Sequence, residues 1–431
     1  MERILLQQLK QWLSHKGRKP LILQGARQVG KTWLLQEFGK QCFDDVRYFN
    51  FELNPSLASI FDSSLDPERI LRQLSLFSGQ PIHAENTLII FDEVQEAPRA
   101  LTSLKYFAEQ APEYAICCAG SLLGVALHQG TSFPVGKVDF LRLEPMSFHE
   151  FMLANRESAL ANYIAEGHLD VEAHWDRLID LLKQYMVVGG MPSAVNEWIQ
   201  TQDFKRVDEE LQRLLLSYSN DFSKHVPDAL EAKIRHIWQS IPVQLARENK
   251  KFVYGIVRQG ARAREYEDAL LWMSDAGVIR RTYCVTKPNI PLQAYANLSA
   301  FKVYLLDIGM LRVMAHIAPD TILQGNRIFE EFKGSLTEQF ALQELAQLPG
   351  IRGDYYWVAA KAEIDFLITD GLHVYPLEVK AGTNTHAKSL ASYIKNFNPC
   401  KAFRASLSRP HDNKGLIDFP LFAFSALPTL L

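Results

Sequence analysis

An α/β chain of more than one domain is predicted by three features of the sequence. A glycine-bounded loop, residues 25–32, stands between an apolar strand at 21–23 and a helix opening at Trp33. A wholly apolar run at 88–91 ends in the acid pair Asp92-Glu93. Over residues 332–382 a helix carrying Glu338, a strand carrying Asp365 and a strand ending Glu378-Val379-Lys380 follow one another. With 431 residues, 47% of them hydrophobic, the chain exceeds one ordinary core and has enough apolar mass for two or three.

The formal net charge of -3 gives no global attraction to nucleic acid or anionic membrane, so a polyanion site must be a local patch. The five cysteines form no CxxC pair and have no zinc spacing with the twelve histidines, which points to buried thiols in a reducing cytoplasm. At the start, Leu5, Leu6, Leu9, Trp12 and Leu13 fall on one helical face with charges between them, an amphipathic helix rather than a secretion signal. No apolar run approaches the roughly 18 residues of a membrane span. A cytoplasmic protein with no membrane partner is expected.

The loop Gly25-Ala26-Arg27-Gln28-Val29-Gly30-Lys31-Thr32 fits GxxxxGK[ST], with the strand before it and the helix from Trp33 after it. Gly25 and Gly30 let successive N–H groups point inward at phosphate oxygens, and the helix N-terminus adds partial positive charge. Lys31 reaches the β- and γ-phosphates, and the Thr32 hydroxyl ligates Mg²⁺. An apolar strand buried on both faces should carry Asp92-Glu93 at its carboxyl end, where open α/β sheets bind ligands. Asp92 then joins the Mg²⁺ shell and Glu93 polarises the attacking water, so ATP and Mg²⁺ are the expected ligands. After the strand at 114–119, Ser121 either senses the γ-phosphate or only turns the chain.

The segments "GARQVGKTWLL", "LIIFDEVQEAP", "AGSLLG", "FPVGKVDFLRLEPMSFHEF" and "GGMP" together resemble a large group of prokaryotic AAA-type ATPases, related to archaeal-type and signal-transduction NTPases. These pair a P-loop NTPase module with a C-terminal domain of unassigned function. The resemblance covers essentially the whole chain. It implies that Gly190 to Pro192 belong to a helical lid packing on the adenine and that Ser121 is the sensor-like residue. No arginine finger is identified; Arg142 and Lys137 are either its candidates or surface charges.

Residues 150–216 read as helices, and the polar stretch 217–233 as a joint to the next domain. A helix with Tyr266, Ala269, Leu270, Met273 and Ala276 at helical spacing stops at Gly277, and strand-like segments follow, as in a winged helix. Arg258, Arg262, Arg264, Arg280, Arg281 and Lys287 offer a basic surface for DNA, whereas Glu265, Glu267 and Asp268 suit a protein partner instead.

Farther on, Leu336, Phe340, Leu342 and Leu345 mark the apolar side of an amphipathic helix that also holds Glu338. Carboxylates on adjacent strands gather Mg²⁺ for phosphodiester cleavage, and a lysine two residues after an acid lies on the same strand face. This order resembles the PD-(D/E)xK nuclease fold, which implies a core of Asp365, Glu378 and Lys380 with Glu338 as the additional carboxylate. Alternatively, Glu378 and Lys380 pair on a solvated edge and Asp365 caps the sheet.

The expected layout is a P-loop ATPase core at 1–150, a helical lid at 151–204, linker helices and a winged helix at 205–318, and a nuclease-like domain at 319–431. The expected function is ATP hydrolysis controlling a nuclease-like, DNA-interacting domain. The alternative is a nucleotide-dependent switch or scaffold, docking protein or DNA without cutting.

Overall fold

A strand without polar alternation must be covered on both faces, and the runs at 21–23 and 88–91 are of that kind. They lie in β1 (Leu21–Gln24) and β3 (Thr87–Asp92), which join β2 (Asp45–Asn50), β4 (Ala115–Ala119) and β5 (Asp139–Arg142) in a parallel sheet ordered β2-β3-β4-β1-β5. Every residue of β3 and β4 is buried. Because β1, β4 and β3 run parallel, the loop after β1 and Asp92 at the end of β3 lie at the same carboxyl edge of the sheet, where such sheets bind ligands. On one face Phe51, Phe61 and Phe91 meet edge to face with centroids 5.7–5.8 Å apart. The helix Leu5–Ser14 buries Leu6, Leu9 and Trp12, as its spacing predicts.

The computed structural model describes residues 1–120, 134–247, 250–324, 330–359, 362–382 and 388–431. They form two compact units: Glu2–Glu144 with Asp275–Gly277, and Met1 with Pro145–Ser274 and Val278–Leu431.

The second unit begins with helices, among them Phe148–Ala154, Trp175–Val188, Pro192–Thr201, Phe204–His225 and Asp228–Leu245. The stretch 217–233, expected as a joint, is helical through residue 225 and again from 228. Leu211, Leu214, Tyr218 and Phe222 recur three or four residues apart and are buried, so packing of one face prevails over the polar composition.

The expected wing is not a separate element. β6 (Ile279–Val285) and β7 (Ala296–Leu305) are an antiparallel pair, and β6 also runs parallel to β8 (Tyr355–Ala359). With β9 (Ala362–Thr369), β10 (Val374–Val379), β11 (Ala402–Ser406), β12 (His411–Asn413) and β13 (Leu416–Pro420) they form one eight-stranded sheet, ordered β12-β13-β11-β10-β9-β8-β6-β7. The boundaries placed at 204 and 318 therefore fall inside one unit, whose sheet joins strands from both sides of residue 318.

The helix Glu330–Leu345 is not amphipathic: residues 335–345 are all buried. Its polar side chains are spent on the backbone of surrounding elements. Gln339 accepts from Leu305 N–H at 2.9 Å and donates to Leu305 O at 2.7 Å. Gln343 accepts from Ile308 N–H at 3.0 Å, Ser335 donates to Leu245 O at 2.5 Å, and Glu344 accepts from Phe148 N–H at 2.8 Å.

Burial pushes the Glu344 carboxyl up to about 8, with Glu150 adding to the push and the Phe148 N–H opposing it. The folded form thus keeps a proton that the unfolded chain releases near its ordinary value of 4.5. Stability from this group is complete below that value and is lost as pH rises toward about 8. Glu344→Gln keeps the acceptor without the titration. Denaturant unfolding followed by tryptophan fluorescence at several pH values should show a decline for the native chain that is about 2–4 kcal/mol smaller in the variant; parallel curves would refute the assignment.

Candidate functional site

The loop after β1 is shaped by backbone conformations that few residue types adopt. Gly25 has φ 147° and Gly30 φ 94°, and Gln28, a non-glycine, is held at φ 63°. A Cβ on Gly25 would lie 2.3 Å from the Leu143 carbonyl oxygen, so only glycine fits. Two braces fix the loop to the sheet. Leu143 N–H donates to Gln24 O at 2.8 Å, and the buried Arg3 guanidinium donates to Val29 O at 2.8 Å and Glu144 O at 2.6 Å. Sequence reading missed Arg3, whose one signal is a cation at the start of a helix with an apolar face.

Lys31 is 7% exposed, and its Nζ donates to the carbonyls of Gly25 at 2.8 Å and Ala26 at 2.7 Å. Burial lowers its pKa to about 8 against the opposing pull of Glu93 and Asp92, which leaves it mostly charged at neutral pH. Asp92 is buried at the carboxyl end of β3. Its Oδ2 accepts from the Thr32 hydroxyl at 2.8 Å and from the Tyr48 hydroxyl at 2.6 Å, while Oδ1 accepts from Glu93 N–H at 3.1 Å. Tyr48 was also missed. Burial, then its bond to Asp92, pushes its phenol up to about 12, so it remains a donor. Glu93 sits at φ 50° and ψ 45°, and its Oε2 accepts from Gln95 Nε2 at 2.7 Å.

The donor set fits a hard cation. The Thr32 hydroxyl and Asp92 carboxylate present oxygens 2.8 Å apart. Adjacent oxygens around octahedral Mg²⁺, at metal–oxygen distances of about 2.1 Å, are about 3 Å apart.

The other sequence-derived candidates are placed as follows. Ala26 and Val29 are buried, Arg27 is half-buried, Gln28 is exposed and Trp33 is on an exposed part of its helix. Arg142 pairs with Glu144 at 2.7 Å and Lys137 with Glu109 at 2.9 Å. Ser121 lies outside the described residues. Gly190 and Pro192 belong to the second unit. Gly190 donates its N–H to Asp307 Oδ2 at 2.6 Å, its carbonyl accepts from Met146 N–H at 2.6 Å, and a Cβ would lie 2.1 Å from the Met146 oxygen. Its backbone is engaged in packing, which accounts for the glycine without an adenine. Pro192 opens the helix Pro192–Thr201 in the first turn, where a missing N–H costs little.

A second charged cluster lies in the C-terminal sheet. β9 and β10 are antiparallel with Leu377 opposite Phe366, so Asp365 and Glu378 come next on the other face. Asp365 Oδ2 accepts from Val379 N–H at 2.8 Å. Glu378 is 2% exposed; its Oε1 is 2.7 Å from Lys380 Nζ, and its Oε2 is buried without a partner. Glu338 is committed elsewhere: it is paired with Lys250, lies 3.3 Å from Lys302 Nζ and accepts from the Tyr304 hydroxyl at 2.8 Å. Lys302, buried, also pairs with Glu363 at 2.5 Å. Burial alone would raise Glu338, but Lys302 and Lys250 outweigh it and hold the carboxyl at about 2. Burial and then Glu338 push Asp365 up to about 7.

Among the described residues no group of three or more His, Cys, Asp or Glu side chains is arranged to hold a metal ion. Glu338, expected in a metal-gathering set, faces two ammonium groups, those of Lys250 and Lys302. Lys302 could have been noticed as a lysine within the apolar run "FKVYLL"; Lys250, Tyr304 and Glu363 carried no signal.

Residues 17–152 match the family described as AAA domain. Residues 179–321 and 333–417 match two families described as domains of unknown function, DUF8612 and DUF4143. No curated protein matches the chain. Similar solved structures include a Walker-type ATPase of Pyrococcus abyssi, at 16% identity and TM-score 0.45, covering 72% of this chain and 94% of that one. The Aeropyrum pernix Orc1 protein in complex with DNA is 12% identical, with TM-score 0.29 and coverages of 73% and 90%. AMPPCP-bound DnaA from Aquifex aeolicus is 14% identical, with TM-score 0.29 and coverages of 63% and 88%. No described helix is long and apolar enough to cross a membrane. Residues 17–152, with the 25–32 loop and Asp92 at the carboxyl ends of a parallel sheet, are an AAA-type P-loop ATPase domain.

Proposed function

We propose that the protein binds ATP with Mg²⁺ on the 25–32 loop, hydrolyses it, and uses the nucleotide state to switch the docking behaviour of its C-terminal region. The observation that carries the first part is the meeting of Lys31, Thr32, Asp92 and Glu93 at one edge of the parallel sheet, with Thr32 already bonded to Asp92. Lys31 supplies a positive charge to the phosphates, and backbone N–H groups of the loop cradle them. Thr32 and Asp92 hold the cation, oriented by the Tyr48 hydroxyl. When bound, Mg²⁺ neutralises charge developing on the phosphates. Glu93 accepts the proton of the attacking water, and Gly25 to Val29 with Trp33 border the nucleotide.

For the C-terminal region the non-cutting alternative is favoured by one observation: Glu338 is neutralised by Lys250 and Lys302. What supports a nuclease-like ancestry is the adjacency of β9, with Asp365, and β10, ending in Glu378-Val379 before Lys380. Arg258, Arg262, Arg264 and Lys287 are exposed and offer a DNA backbone a local positive surface, although Arg281 is taken by Glu267 at 2.6 Å.

Lys31→Ala should abolish nucleotide binding, measured by calorimetry, whereas Glu93→Gln should retain it with kcat lowered about 10²–10⁴-fold. Unchanged affinity in the first variant would sink the assignment of the loop. Because Lys31 loses its charge above about pH 8, ATP affinity should weaken by up to about tenfold per pH unit beyond it, and Lys31→Arg should lack that inflection. With Mg²⁺ or Mn²⁺, linear, single-stranded and branched DNA should survive intact with or without ATP, while salt-sensitive DNA binding should persist in Asp365→Ala. Cleavage that disappears in both Asp365→Ala and Lys380→Ala would restore the nuclease reading.

A further inference from the structure

After β3 the chain makes a short 3-10 turn, Val94–Glu96, and Gln95 folds its side chain back toward Glu93. Nε2 donates to Glu93 Oε2 at 2.7 Å, while Oε1 of the same carboxamide is buried without a partner. A buried acceptor is costly to leave unmade. In the same turn Glu93 occupies the left-handed region, at φ 50°, which a non-glycine residue adopts under strain. Two local departures from the relaxed state thus adjoin at one point, the carboxylate assigned to the attacking water and the side chain that grips it. Such departures persist where the surroundings hold a reactive geometry.

Resting on the ATPase reading above, we propose that Gln95 is a positioning residue for hydrolysis: its side-chain N–H holds in one orientation the Glu93 carboxylate that receives the proton of the attacking water. The water oxygen forms the new bond to the γ-phosphorus. The bond to the bridging oxygen breaks with its electron pair leaving on the diphosphate, and the water proton passes to Glu93. The carboxamide does not titrate, so it orients and takes no proton.

The test uses the full chain with Mg²⁺, comparing native protein, Gln95→Ala and the near-isosteric Gln95→Glu. Steady-state hydrolysis and the Kd of a fluorescent ATP analogue are measured. Gln95→Ala should lower kcat about 10- to 100-fold with Kd unchanged within about twofold. Gln95→Glu, which keeps the shape of the side chain but not its N–H donor, should lower kcat by a similar factor, again with Kd unchanged within about twofold. An unaltered kcat in Gln95→Ala, a loss of affinity as large as the loss of kcat, or a native kcat in Gln95→Glu would each overturn the proposal. A native chain that binds the analogue but shows no turnover removes the hydrolysis reading itself, and with it the role of Gln95. That failure is recognisable because it appears before any substitution.

Discussion

The second unit depends on a helix whose residues 335–345 have no solvent face. Residues 335–345 are buried throughout, yet Ser335, Thr337, Glu338, Gln339, Gln343 and Glu344 lie among them. Each such group must find a partner, since a buried polar atom left unmatched costs about 1–3 kcal/mol whereas a made bond contributes only about 1. The solution is a set of bonds to backbone atoms of separate segments: Leu245, Leu305, Ile308 and Phe148. These bonds specify where the helices at 145–245 and the end of β7 must lie relative to one another. An apolar helix would permit several such packings, and the polar one penalises all but this one.

From that helix the constraint passes outward. Gln343 Nε2 donates to Asp307 Oδ2 at 3.1 Å, and the same oxygen accepts from Gly190 N–H at 2.6 Å. Asp307 Oδ1 accepts from Met310 N–H at 3.0 Å and so caps the helix Ile308–Met314. One buried carboxylate therefore joins the glycine turn before Pro192 to the exit of β7. Gly189 and Gly190 are there because a side chain would strike Asp307 or Met146, a packing reason that needs no ligand.

How much was legible follows from which physics is local. The 25–32 loop and the strand ending in Asp92 could be read because phosphate chemistry and a doubly buried strand dictate residue types within a few positions. Tyr48 and Arg3 could not, since each acts on residues distant in sequence: Tyr48 on Asp92, Arg3 on Val29 and Glu144. The wing was misplaced because hairpin periodicity says nothing of a strand's second neighbour, and β6 found one in β8. The buried helix misled for the opposite reason: Gln, Ser and Glu look solvated in sequence, and their backbone partners lie up to 196 positions away. Glu338 and Asp365 interact, but the charges beside them, Lys250 and Lys302, lie on segments that sequence order does not connect to them.

Those lysines change what a Glu-x-Lys strand can be taken to mean. A carboxylate cluster attracts a divalent cation when its charges repel and are uncompensated. Here Glu338 and Glu363 face Lys302, and Glu338 also faces Lys250, so opposite charges meet at hydrogen-bond range within the fold itself. Asp365 is pushed toward its protonated form by burial and then by Glu338, which lessens the remaining repulsion. A metal ion entering such a cluster would have to displace buried ammonium groups whose desolvation has already been met by their partners. The motif thus reports the architecture that brings β9 beside β10, while the cations supplied from outside the motif determine the chemistry available there.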